Sequence, residues 1–230
     1  MRGTVVTLGG GGFSMSEDGS SAIDDHLLEL TGRSRPKVCF VGTASGDSAA
    51  YRDRFFAAFE GRARTSALVL FGQSTYDYVP PEHALEQDLI YVGGGSTANL
   101  LALWRLHGLD TVLTAAAANG TILAGISAGM NCWFEASVTD SFGPLAPLHD
   151  GLGLLPGSAC PHYFGEPGRA DRFREWVGSG VLPAGHAADD HVALVWRDGS
   201  LVEAVAERPG ARAFTVTPEG EREVAVRQLG

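Results

Sequence analysis

The segment Thr121-Ile122-Leu123-Ala124-Gly125-Ile126-Ser127-Ala128-Gly129-Met130-Asn131 constrains this chain more than any other. An unbroken apolar run leads into Gly-x-Ser-x-Gly and then into a helix-period stretch, Met130–Ala136. A strand that is apolar throughout suits a sheet covered on both faces, which is the parallel sheet of an α/β protein. A serine on a tight strand-to-helix turn sits in strained backbone, and only small neighbours let the chain double back there. The helix that follows aims free N–H groups at developing negative charge. Gly-x-Ser-x-Gly also arises by chance in ordinary βα turns. The strand before this one and the helix after it single it out, and Ser127 is the candidate nucleophile.

The rest of the chain repeats that alternation. Thr4–Leu8, Val38–Val41, Ala67–Phe71, Leu89–Val92 and Thr121–Ala124 read as buried strands. Between them Asp24–Leu30, Ala49–Phe59, Thr97–His107 and Thr111–Asn119 have helical spacing, and a glycine follows each closely as a stop signal. This predicts a mostly parallel, doubly wound sheet with helices on both faces. The C-terminal third differs. Val192–Trp196, Leu201–Val205, Ala213–Val216 and Glu223–Val226 are short strands separated by Asp198-Gly199 and Glu219-Gly220, and read as antiparallel hairpins on one edge of the sheet. With 230 residues, 44% of them apolar, and no visible linker or repeat, a single domain over 1–230 is expected.

The net charge of −10, without a basic run, argues against nucleic acid and anionic membrane as partners. No window approaches the ~18 apolar residues of a membrane span, and the N-terminus lacks the apolar core of a secretory signal. Cys39, Cys132 and Cys160 form no framework. A cytoplasmic chain, monomeric or homodimeric, is the simplest expectation.

A serine hydroxyl needs a base, and the base needs an acid to orient it. His26, His83 and His107 lie in helical stretches, where a solvated histidine is the ordinary case. His162, in Cys160-Pro161-His162-Tyr163-Phe164, follows a Gly/Pro-rich loop and precedes a charged helix over Arg169–Val177. It ranks first as the base, and His191 second. His186 and His191 flank Asp189-Asp190, either of which could be the acid. Tyr91-Val92-Gly93-Gly94-Gly95-Ser96-Thr97-Ala98-Asn99 is a second strand, glycine turn and helix start. Its open N–H groups would emerge beside Ser127 at the carboxyl ends of parallel strands, where ligands bind. Leu8-Gly9-Gly10-Gly11-Gly12 has the look of a dinucleotide loop, but lacks the later glycine and the acidic strand end. Cys160-x-His162 has no second pair to complete a metal site. No cofactor or metal is expected.

Gly-Ile-Ser-Ala-Gly-Met-Asn, after Gly-Gly-Gly-Ser-Thr-Ala-Asn-Leu-Leu, resembles the peptidase E (aspartyl dipeptidase) family that also contains cyanophycinase. These are serine hydrolases on a class I glutamine amidotransferase-like, flavodoxin-like scaffold. The resemblance runs from Leu8 to about Val195. It implies Ser127 as nucleophile, His162 as base and Asp190 as acid, with Asp189 a rival by one residue. It implies Gly94, Gly95 and Ala128 as oxyanion donors. Arg169, or its neighbour Arg172, would hold an acidic substrate side chain, and Asn99 joins them as a substrate-binding candidate. The implied reaction is hydrolysis of short peptides, dipeptides with an N-terminal acidic residue (Asp-X) above all, through an acyl-enzyme. Ser96-Thr97 stands where relatives often have Asn-Thr, a departure that bears on substrate preference. Two other readings compete. An α/β-hydrolase esterase would need the order Ser, Asp, His, drawing Asp140, Asp150 or Asp171 together with His186 or His191. A non-catalytic binding module on the same scaffold needs no triad at all.

Overall fold

The computed structural model of the protein describes residues 2–72 and 77–230. The chain opens with strand β1 (Thr4–Leu8), helices α1 (Gly12–Met15) and α2 (Ala22–Leu30), strand β2 (Lys37–Val41), helix α3 (Ala49–Phe59) and strand β3 (Arg64–Leu68). It returns through a 3-10 turn over Pro81–Glu86 to β4 (Leu89–Val92), α4 (Thr97–His107), α5 (Leu109–Ala118) and β5 (Ile122–Ile126). A short helix α6 (Ala128–Asn131) leads to β6 (Phe134–Thr139), β7 (Ala146–Leu148) and β8 (Leu155–Cys160). Helix α7 (Arg169–Gly178) and strands β9 (Gly185–Ala188), β10 (Val192–Arg197) and β11 (Ser200–Ala206) follow. The chain finishes with β12 (Ala213–Thr217), β13 (Gly220–Val224) and β14 (Arg227–Gln228).

The first sheet has eight strands in the order β14-β11-β10-β1-β5-β4-β2-β3, and β1, β5, β4, β2 and β3 are mutually parallel. Side chains that alternate along these strands fill both faces. Val6, Leu8, Val38, Phe40 and Tyr91 pack with Phe13, Leu27, Phe55 and Phe59 of α1, α2 and α3. Val5, Cys39, Val41, Ile90 and Leu123 pack with Leu100, Trp104 and Leu113 of α4 and α5. Because β1 lies beside β5, with β5 and β4 between it and β2, the exits of β1, β5 and β4 come together at one rim.

A second, six-stranded sheet, in the order β13-β12-β9-β8-β6-β7, was not expected. Val138, Ala187, Phe214 and Val216 on it pack against Phe173 and Val177 of α7, while Phe134, Leu155 and Ala188 join the core of the first sheet. Only the β10–β11 hairpin extends the first sheet; the β12–β13 hairpin belongs to the second, through β9. The helix expected over Met130–Ala136 is also corrected. It ends at Asn131, and Phe134–Thr139 pairs with β8 and β7, so tertiary pairing overrides local periodicity there. The strand expected at Ala67–Phe71 is Arg64–Leu68 instead, in register with β2. Beyond it, the N–H groups of Leu70 and Phe71 both donate to Asp47 Oδ2 at 2.7 Å rather than to a strand. The last expected strand, Glu223–Val226, is Gly220–Val224. No helix among the described residues is long and apolar enough to cross a membrane.

One buried charge links this core to pH. Asp24 is fully buried and accepts from Phe13 N–H at 2.7 Å. Burial, reinforced by the nearby Glu207 charge, pushes its carboxyl up to about 7. A folded-state value above the unfolded one means that the folded chain holds a proton which the unfolded chain releases. Stability contributed here therefore falls as pH rises from about 4 to about 7, by up to about 1.4 kcal/mol per unit of displacement. Asp24→Asn keeps an acceptor for Phe13. In urea titrations its stability relative to the wild type should be greater at pH 8 than at pH 5.

Candidate active site

Ser127 stands between β5 and α6 with φ 56° and ψ −110°, the strained turn that a nucleophile elbow requires. The two glycines of the motif have separate reasons. A Cβ on Gly125 would lie 2.1 Å from Gly129 O, and one on Gly129 would lie 2.5 Å from Val92 O. The chain can double back only because both positions lack a side chain. The Ser127 hydroxyl has no hydrogen-bond partner among the described residues. It borders a pocket of about 350 Å³ that also touches Gly95, Thr97, Asn131, Asp140, Glu166 and Arg169.

His162 follows the end of β8, and its Nδ1 lies 2.5 Å from Asp190 Oδ1. This hydrogen bond, helped by the charges of His162, His191 and Arg169, holds the Asp190 carboxyl below its ordinary value against the opposing effect of burial. Asp189 points elsewhere. It accepts from the N–H groups of Phe164 and Arg212, each at 3.1 Å, and burial raises its carboxyl. Of the two neighbouring acids, the geometry pairs Asp190 with His162.

These residues hang from the exit of β1. Ser127 N–H donates to Leu8 O at 3.0 Å, His162 N–H to Gly9 O at 3.1 Å, and His191 N–H to Gly10 O at 3.1 Å. All three donors have positive φ, at 56°, 51° and 66°. The glycine run is packed tightly against the same strand ends. A Cβ on Gly9 would meet Ala188 O at 2.3 Å, and one on Gly10 would meet Asp190 Oδ1 at 2.1 Å. The loop that looked like a nucleotide cradle is thus the seat of the His162–Asp190 pair.

Of the expected oxyanion donors, Gly95 N–H and Ala128 N–H have no partner among the described residues. Gly94 N–H donates to Tyr51 Oη at 3.3 Å. Gly95 adopts φ 135°, and a Cβ on it would lie 2.2 Å from Ala44 O, so this position also needs glycine. Arg169 is buried and lines the pocket. Arg172 does not reach it; it is exposed and paired with Glu175 at 2.9 Å. Asn99 is exposed in the first turn of α4, where its N–H is capped by Ser96 Oγ at 3.3 Å, and it lies outside the pocket wall.

The sequence model of peptidase family S51 matches residues 5–204. The chain belongs to peptidase family S51. It is a serine peptidase. Over 222 residues it is 46% identical to the uncharacterized peptidase YgaJ of Bacillus subtilis (strain 168), covering 96% of this chain and 94% of that one. It is 32% identical over 108 residues to peptidase E of Streptomyces coelicolor, covering 43% and 44% of the two chains. Its fold resembles the crystal structure of a peptidase from an acI-B1 actinobacterium, with a TM-score of 0.73 at 17% identity, covering 98% and 95% of the chains. A putative peptidase E of Listeria monocytogenes EGD-e gives a TM-score of 0.64 at 19% identity, covering 88% and 98%.

The α/β-hydrolase arrangement finds no support in this S51 site. His191 Nδ1 pairs with Glu207 Oε1 at 2.8 Å and borders a different pocket, with Met15 and Ser21. His186 lies edge-on against Trp196, with ring centroids 4.8 Å apart, and burial lowers it to about 4. Asp150 and Asp171 pair with Arg105 and Arg174, each at 2.6 Å. Asn131 and Glu166 line the Ser127 pocket without having been singled out in the sequence, and Asp140, considered there only as the acid of the hydrolase alternative, lines it too. Only Glu166 left a signal there, as an acid three residues before Arg169. Gly10→Ala should push the Asp190 carboxylate off His162 while leaving the elbow intact. Peptidase kcat is expected to fall on the order of 100-fold, the scale of a ~1 Å misplacement, with an unchanged far-ultraviolet circular dichroism spectrum.

Proposed function

We propose that this S51 peptidase cleaves short peptides through a Ser127–His162–Asp190 triad and an acyl-enzyme. The observation that carries the reading is the 2.5 Å His162–Asp190 contact on the loop that also anchors the Ser127 backbone. Ser127 Oγ attacks the peptide carbonyl, and His162 takes the hydroxyl proton. His162 then returns the proton to the leaving amine, and water repeats the cycle on the ester. Asp190 keeps the imidazole in one tautomer and stabilises the imidazolium. The N–H groups of Gly95 and Ala128, unpartnered among the described residues, are left for the oxyanion, each donor having a typical effect of ~3–4 kcal/mol on the barrier. Gly94 could join them by exchanging its bond to Tyr51.

The scaffold is read as class I glutamine amidotransferase-like, supported by the parallel strands β1, β5, β4, β2 and β3 and the site at their carboxyl ends. Asp-X dipeptides are the finer substrate reading. Its support is the peptidase E name borne by the shorter matches, together with Arg169 as the buried cation of the pocket. Ser127→Ala should abolish both hydrolysis of every accepted peptide and labelling by a fluorophosphonate probe. Asp190→Asn should lower kcat on the order of 10⁴-fold by allowing the wrong tautomer. Retention of full hydrolysis by Ser127→Ala would sink the mechanism. A screen of Asp-X, Glu-X and neutral dipeptides reads the substrate class directly.

A further inference from the structure

The pocket beside Ser127 holds an ion pair that the chemistry does not use. Arg169, 3% exposed, donates from Nε to Glu166 Oε2 at 2.8 Å, and its Nη2 donates to the same oxygen. Glu166 lines the same pocket, and its side chain is 44% exposed. A guanidinium recognises a carboxylate through paired N–H groups. Here a carboxylate of the chain itself already holds two of them. The remaining wall is rich in acceptors. Asp140 lies on it, and Asn131 commits Nδ2 to Thr97 Oγ1 at 3.3 Å and Val138 O at 3.0 Å. Asn131 Oδ1 is buried without a partner among the described residues.

We propose that Glu166 sets the charge preference of this pocket by competing with a substrate carboxylate for Arg169. The proposal rests on reading the Ser127 pocket as the peptide site. An Asp-X peptide has to displace Glu166 from the Nε–Nη2 edge of Arg169 or share the guanidinium with it, and either way it adds a carboxylate to a pocket that already contains Glu166 and Asp140. A peptide with a neutral first residue leaves the pair in place, and its ammonium group brings donors to the acceptors of Asp140, Glu166 and Asn131. The chain therefore accepts neutral first residues more readily than the presence of Arg169 alone suggests.

Binding tests this apart from the chemistry. Ser127→Ala protein is titrated calorimetrically with Asp-Leu and with Ala-Leu, alone and combined with Glu166→Gln, Arg169→Ala or both. Glu166→Gln should move the ratio of the two Kd values toward Asp-Leu by about tenfold, the scale of one charge-assisted contact. Adding Arg169→Ala should remove that gain. An unchanged ratio in Glu166→Gln overturns the proposal. So does a gain that persists without Arg169, which would reflect only the loss of a negative charge, and so does failure of both peptides to bind any variant. Product formed by Ser127→Ala protein would instead count against the triad. The selectivity would then be read as the ratio of kcat/KM values for the same two peptides.

Discussion

The three successive carbonyls of Leu8, Gly9 and Gly10 are the hinge of this molecule's chemistry. Each receives the N–H of a positive-φ residue arriving from a different part of the chain: Ser127 after β5, His162 after β8, His191 after β9. Positive φ costs an ordinary residue free energy, and it persists only where surrounding structure over-determines it. Here the over-determination is visible as one hydrogen bond per strained residue, together with a glycine run too closely packed to accept side chains. β1 is central in the first sheet, with β5 on one edge and β10 on the other, and the carbonyls beyond it receive residues that follow β8 and β9 of the second sheet.

Electrostatics add to this frame. Two histidine–carboxylate pairs flank the glycine loop, His162 with Asp190 and His191 with Glu207. Glu207 is held below its usual value although burial opposes this, because Ser21, His191 and the N–H groups of Ile23 and Gly12 all donate to it. The second pair faces away from Ser127, so the similar chemistry of the two pairs is separated by the loop between them. Their different surroundings, rather than their residue types, distinguish a candidate base from a structural histidine.

The parallel half of the fold was legible because its signals are local. Unbroken apolar runs such as Leu89–Val92, and glycine stops such as Gly61 and Gly108, coincide with the observed elements. The second sheet was not, although its β12–β13 hairpin was read as an edge of the first, since the strands that join it to the rest carry little intrinsic preference. Gly185–Ala188 has no β-branched residue, Leu155–Cys160 contains Pro156 and Gly157, and both owe their conformation to pairing with each other. In the site, Ser127 is marked by its own neighbours, whereas the choice between Asp189 and Asp190 is not. Adjacent residues in extended backbone point to opposite sides, and only the surrounding elements decide which side holds the histidine. Asn131, Asp140 and Glu166 illustrate the same limit. A pocket wall is a property of space: Asn131 ends α6, Asp140 follows β6 and Glu166 precedes α7, and no common spacing joins the three.

A backbone tether is indifferent to the side chain it carries. The bond from residue 127 to Leu8 O, and that from residue 162 to Gly9 O, would form with any amino acid able to hold the same φ. The scaffold therefore preserves two addresses rather than two functional groups. Nucleophile and base can be exchanged at those addresses without rebuilding the frame, whereas the silent glycines beneath them cannot. Shape alone constrains the glycines, whereas it is the reaction that constrains the residues at the two addresses.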